Sequence, residues 1–135
     1  KVVASGPLQQ AGTVPLIPGV FHLTYLENRG AAFGILQDQR WLFAIITVAV
    51  VIGVIVFLIR KRPENKMLVV SLTLLTGGAI GNLIDRLARG YVVDLFDFRL
   101  INFPIFNVAD IFVVVGAFLL AAYLIFIEGK KEKQK

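Results

Sequence analysis

The chain has 135 residues, of which 57% are apolar and 17% charged, with 14 Lys and Arg against 9 Asp and Glu for a formal net charge of +5. With a mean hydropathy of +0.78, that composition excludes an ordinary soluble domain and points to a membrane protein. Cysteine is absent, which excludes a disulfide framework, a zinc–thiolate site and a thiol nucleophile.

The chain begins at Lys1 without an initiator Met or an apolar leader, so a piece of a longer protein that has lost its beginning is expected, with a span missing ahead of it. Gly6, Pro7, Gly12, Pro15, Pro18 and Gly19 forbid a long helix in the first forty residues, and Gly19 to Leu26 reads as a strand. Three runs are long enough to cross a hydrocarbon core of about 30 Å at about 1.5 Å per residue: 41–59, 67–84 and 108–127. In the second, Thr73, Gly77 and Gly81 recur every fourth residue beside Gly78 and Ala79, a small-residue face suited to close helix approach. Residues 85–107 form a connection in which Tyr91 to Phe98, rich in β-branched and aromatic side chains, reads as a second strand. The expected architecture is therefore mainly α: a polytopic membrane protein with a bundle of three transmembrane helices and a small extracytoplasmic β-sheet, all in one membrane-embedded domain over 1–135.

Charge placement orients the bundle. Arg60, Lys61, Arg62 and Lys66 lie between the first two spans and Lys130, Lys131, Lys133 and Lys135 follow the third, in the basic tail 128–135. The positive-inside rule makes both clusters cytoplasmic and puts 1–40 and 85–107 outside. Once those clusters are assigned, no basic patch interleaved with stacking aromatics remains, so a nucleic-acid partner is not expected.

Against this apolar background two carboxylates stand out, Asp94 after Tyr91-Val92-Val93 and Asp110 at the opening of the last apolar run. A carboxylate at mid-span costs about 2.5–3.5 kcal/mol on insertion scales, so intramembrane acids are usually functional. Asp94 and Asp97 are three residues apart and point to opposite faces of a strand. Asp97 has Arg99 as an easy same-face partner, which leaves Asp94 as the candidate. Each acid also has a structural alternative. Asn107 is a good N-cap for the last span, and Asp110 at its third position would be stabilised by the helix dipole without doing chemistry. If the second helix continues past Ile84, Asn82 and Arg86 share a face and need acceptors, for which the aspartates are the nearest candidates, while Asp85 can pair with Arg89. His22, the single histidine, reads as structural. A histidine-rich metal site is excluded, and an all-carboxylate magnesium site would leave the apolar setting unexplained. Three readings stay open on residues alone: a pair of acids for hydrolysis, an ion relay through Asp94, Asp110 and Arg86 in a non-catalytic channel or transporter subunit, or a purely structural membrane scaffold. The absence of ionisable residues in 41–59 favours the first.

Four blocks in order, Glu27-Asn28-Arg29-Gly30-Ala31-Ala32-Phe33-Gly34, Gly77-Gly78-Ala79-Ile80-Gly81-Asn82-Leu83-Ile84-Asp85-Arg86, Val92-Val93-Asp94 and Phe106-Asn107-Val108-Ala109-Asp110, closely resemble the bacterial lipoprotein signal peptidases (signal peptidase II). The resemblance implies an inner-membrane aspartic endopeptidase that removes the signal peptide of prolipoproteins just before a diacylglyceryl-modified cysteine, without a metal or organic cofactor, as a monomer among membrane lipids. It implies Asp94 and Asp110 as the catalytic dyad. Asn28 and Gly30 would belong to an outer-loop block near the substrate, with Asn28 across the entrance, and Asn82, Arg86 and Asn107 would support the dyad or the substrate backbone. Asp85 would be structural. One departure is at the front, where the family has a first span bearing Asp-x-x-x-Lys and Lys1 alone could match its last residue, so four spans are expected in the family where this chain has three.

Overall fold

The computed structural model describes residues 4–30 and 40–129. Residues 31–34 of the first block and the basic cluster from Lys130 onward lie outside the described residues. Contacts group the chain into two units, one from 1–44 with 82–108 and another from 45–81 with 109–135.

Among the described residues, three helices are long and apolar enough to span a membrane. Helix α2, Arg40–Lys61, is dominated by Ile, Val and Phe, poor helix formers in water. In hydrocarbon the backbone has no other partner for its N–H and C=O groups, so the same residues become helical. Its 22 residues reach about 33 Å. It ends where Arg62 takes φ 43° and returns its N–H to Leu58 O at 3.1 Å, a left-handed terminus with Arg60 and Lys61 complementing the helix dipole. Asn65 then caps helix α3, Lys66–Arg89, its Oδ1 accepting Leu68 N–H at 3.2 Å. This helix runs five residues beyond the expected end near Ile84. Leu83, Leu87 and Ala88 sustain it, and it stops only at Gly90, whose φ of 82° lets its N–H reach Arg86 O at 3.0 Å. Helix α4, Val108–Tyr123, continues as a π-helical turn through Glu128, where Tyr123 Oη donates to Glu128 Oε2 at 2.6 Å.

In the second unit, α3 and α4 meet through small residues, Gly78 and Gly81 of the expected set but not Gly77 or Thr73. A Cβ on Gly116 would lie 2.8 Å from Ser71 O and 2.9 Å from Leu75 N, one on Gly78 would collide with Ala109 O and Val113, and one on Gly81 would lie 3.2 Å from Ala109 Cβ. Gly77 has nothing within 4 Å of a Cβ, and the Thr73 hydroxyl bonds to Val69 O at 2.8 Å. The packed face is Ser71, Leu75, Gly78 and Gly81, because mixed three- and four-residue steps track a 3.6-residue turn while a strict fourfold repeat drifts around the helix.

The first unit holds the sheet, antiparallel with order β1-β2-β3. Strand β2, Phe21–Asn28, and strand β3, Val92–Phe98, match the expected pair to within two residues. Strand β1, Thr13–Ile17, and the helical stretch before it, a π-helical turn Ala4–Leu8 leading into α1, Gln9–Ala11, were not expected. Pro15 disguised β1, which as an edge strand tolerates it. Val93 at 0% exposure and Leu8 at 9% anchor a small core with Leu23, Tyr25, Tyr91 and Leu95.

Candidate active site

Register within β2 and β3 decides which side chains meet Asp94. Phe21 lies opposite Phe98 and Leu23 opposite Phe96, but Leu26 lies opposite Asp94 and Asn28 opposite Val92. Three steps along β2 thus match two along β3, the signature of a bulge. The extra residue reverses the alternation of β2, so that Leu26 and Asn28 share the face of Asp94, Phe96 and Phe98. An unbroken β2 would have put Glu27 there.

Asn28 uses both ends of its amide. Its Nδ2 donates to Asp94 Oδ2 at 3.0 Å and its Oδ1 accepts the Gly30 N–H at 3.0 Å. Asn28 is therefore bonded directly to the acid. On the other edge of β3, Phe106 exchanges backbone bonds with Phe96, donating at 3.1 Å and accepting at 2.8 Å. That antiparallel bridge carries the next residue, Asn107, back towards Asp94. Asn107 is fully buried, and its Nδ2 donates to Asp94 Oδ1 at 2.6 Å and to Asn82 Oδ1 at 3.2 Å. Asp94 itself is 1% exposed. Both its oxygens accept from neutral amides, which orient a carboxylate without supplying a counter-charge.

The polar end of α3 completes the cluster. Asn82 is tied in through Asn107, while Arg86 donates from Nη2 to Gly30 O at 3.1 Å and its guanidinium lies 4.9 Å from the centre of the Phe43 ring. Asp85, 6% exposed, accepts the Val93 N–H on Oδ2 at 3.0 Å. A helix carboxylate thereby holds the backbone one residue before Asp94, a link that sequence spacing did not reveal. Asn28, Gly30, Asn82, Arg86, Asp94 and Asn107 thus come together in the first unit. Asp110, half-buried, is the third residue of α4, three residues after Asn107, and belongs to the second unit.

Asp97 points to the opposite face, as its spacing from Asp94 requires. Arg99 Nε donates to its Oδ2 at 2.8 Å and the Thr24 hydroxyl at 2.7 Å. Burial pushes its carboxyl up, but these hydrogen bonds and the Arg99 charge outweigh that and hold it below the ordinary value. Also off the site, His22 accepts the Gly19 N–H on Nε2 at 3.3 Å, and Tyr25 is pushed above the usual phenol range by burial and by Tyr91 and Glu27. Among the described residues, no group of three or more His, Cys, Asp or Glu side chains could hold a metal ion.

Comparison with known proteins places this geometry in a family. The family model described as signal peptidase (SPase) II matches residues 1–126. A lipoprotein signal peptidase of Brevibacillus brevis is 50% identical over 121 residues, covering 90% of this chain and 80% of that protein. One from Caldanaerobacter subterraneus subsp. tengcongensis is 51% identical over 130 residues, covering 96% and 88%. A solved bacterial membrane enzyme superposes with a TM-score of 0.86 at 34% identity, over 92% of this chain and 77% of that one. With most of its length matched at that level of identity, the chain belongs to the signal peptidase II family of membrane proteases.

Proposed function

We propose that Asp94 and Asp110 are the acid–base pair with which this signal peptidase II cleaves prolipoproteins, just before the lipidated cysteine. The observation that carries the reading is Asp94: a carboxylate 1% exposed, gripped on both oxygens by the Asn28 and Asn107 amides. Burying a carboxylate costs stability and makes sense where it must accept and release a proton. Family membership favours this reading over the ion relay.

An acid–base pair of this kind divides the work, one member ionised and the other protonated. The ionised one takes a proton from water as its oxygen attacks the scissile carbonyl carbon, and the protonated one donates to the carbonyl oxygen. Collapse of the tetrahedral intermediate breaks the C–N bond, with a proton passing to the departing nitrogen. Asn28 and Asn107 fix the rotamer of Asp94, and Asn82 supports Asn107. Arg86, bonded to Gly30 O, holds the end of β2 against α3. No step calls for a metal or organic cofactor.

The proposed setting is the bacterial cytoplasmic (inner) membrane, with the site towards the outer leaflet and Arg60, Lys61, Arg62 and Lys66 in the cytoplasm. Lipid surrounds the spans, and a monomer suffices because one chain supplies every residue of the site. In an assay of lipidated prolipoprotein peptide, Asp94→Asn and Asp110→Asn should each abolish cleavage while Asp97→Asn keeps most of it. Turnover near the parent's rate in either dyad variant would refute the assignment.

A further inference from the structure

The far end of the sheet from Asp94 carries apolar side chains that are exposed among the described residues. Leu16 and Ile17, which end β1 and lead into the turn to β2, are each 54% exposed, and Leu100, Ile101 and Phe103, in the turn after β3, are 66%, 67% and 50% exposed. These two turns form one tip. Arg99 N–H donates to Val20 O at 2.9 Å, Arg99 Nη2 to Thr13 Oγ1 at 3.4 Å, and the Phe21 and Phe98 rings lie 5.8 Å apart. The second turn is ordered by its own backbone: Asn102 adopts φ 48°, its N–H returns to Arg99 O at 3.1 Å, and Phe103 N–H closes on Phe98 O at 3.1 Å. A closed turn that holds branched aliphatics outward is built for an apolar surrounding, since turns facing water favour Gly, Asn, Asp and Ser.

We propose that this tip inserts into the acyl region of the adjacent membrane leaflet, as a lipid anchor for the sheet that carries Asp94. Residues 14–20 and 98–106 contain one charged side chain, Arg99, and it is tied back to Asp97 at the base of the tip. Phe103 is five residues ahead of Val108, the first residue of a membrane span, so their Cα atoms lie within about 18 Å at full extension. The same unit includes the span ends, with Trp41, Ile84, Leu87 and Val108 exposed as lipid-facing side chains are. Arg99, with an apolar stem and a paired head, suits the headgroup level. A protein partner would have to reach this surface at the depth already occupied by lipid.

Fluorescence quenching in nanodiscs holding one copy of the full chain tests the anchor. Trp41 is the chain's single tryptophan, so a Trp41→Phe background carrying Ile101→Trp reports on the tip, and the same background carrying Gln10→Trp, at an exposed residue of α1, serves as the water reference. Phosphatidylcholine brominated on its acyl chains should quench the Ile101→Trp probe several-fold more than the reference, and aqueous acrylamide should quench it less. Leu100→Trp should behave in the same way. Acrylamide quenching equal to the reference would show the tip in water, and blue-shifted emission without bromolipid quenching would show it covered by protein; either result overturns the anchor.

Discussion

Asn107→Asp tests the hold of Asn107 on Asp94 while keeping a residue suited to the start of a helix. Asp is as good a residue as Asn ahead of a helix, so the start of α4 at Val108 should be preserved. What changes is the group facing Asp94. At 2.6 Å the Asn107 Nδ2 donor would become a carboxylate oxygen, and two acids at that distance cannot both ionise. Asp94 would then share its proton with residue 107 and lose its value as a base. Removing a hydrogen bond to a charged group costs about 1.5–3 kcal/mol, or roughly ten- to more than a hundred-fold in kcat/KM. The 3.2 Å bond to Asn82 Oδ1 would be lost with it, unless the shared proton turned that way. The assay is cleavage of a lipidated prolipoprotein peptide in detergent micelles, with thermal unfolding of the same sample as a control. Asn107→Ala, which removes the donor to Asp94 and Asn82 and a residue favoured ahead of a helix, should also lower the melting temperature. Parent-like kcat/KM in Asn107→Asp with an unchanged melting temperature would refute the role assigned to Asn107 in holding Asp94.

Gly116→Ala should destabilise the protein by about 1–3 kcal/mol, because its Cβ would meet the backbone of Ser71 and Leu75; Gly77→Ala should be neutral or stabilising, and equal melting temperatures would contradict the packed face. Asp97 is held below its ordinary value of 3.8 by Thr24 and Arg99, so its contribution is full above about that pH and is lost as the pH falls through the lower folded-state value. Asp97→Asn should therefore flatten the acid limb of an unfolding-versus-pH curve, and identical limbs would argue against this contribution. Topology can be read by thiol labelling, since the chain has no cysteine: an impermeant reagent on intact cells should label Gln10→Cys and spare Glu64→Cys, and the reverse pattern would invert the orientation.

Local chemistry determined much of this protein. Twenty-residue apolar runs must become helices in hydrocarbon whatever their neighbours do, since the backbone can be satisfied only within the segment. The three spans, the β-rich stretches at 21–28 and 92–98, and the opposite facing of Asp94 and Asp97 were therefore legible from residue order. The aspartates stood out because charge is rare in such a chain. Tertiary structure decided what depends on residues far apart in sequence. No local signal announced the bulge between Leu23 and Leu26 that turns Asn28, rather than Glu27, towards Asp94 across 66 residues of chain. The bridge from Phe106 to Phe96, which swings Asn107 into the same cluster, and the reach of Asp85 to Val93 N–H are of the same kind. The small-residue set held Gly78 and Gly81, which are packed, together with Gly77, which is not, because composition reveals that a helix can be approached closely while only the partner helix fixes which side is approached. Periodicity and solvent set the elements; register and long-range hydrogen bonds, formed only when those elements meet, set the site.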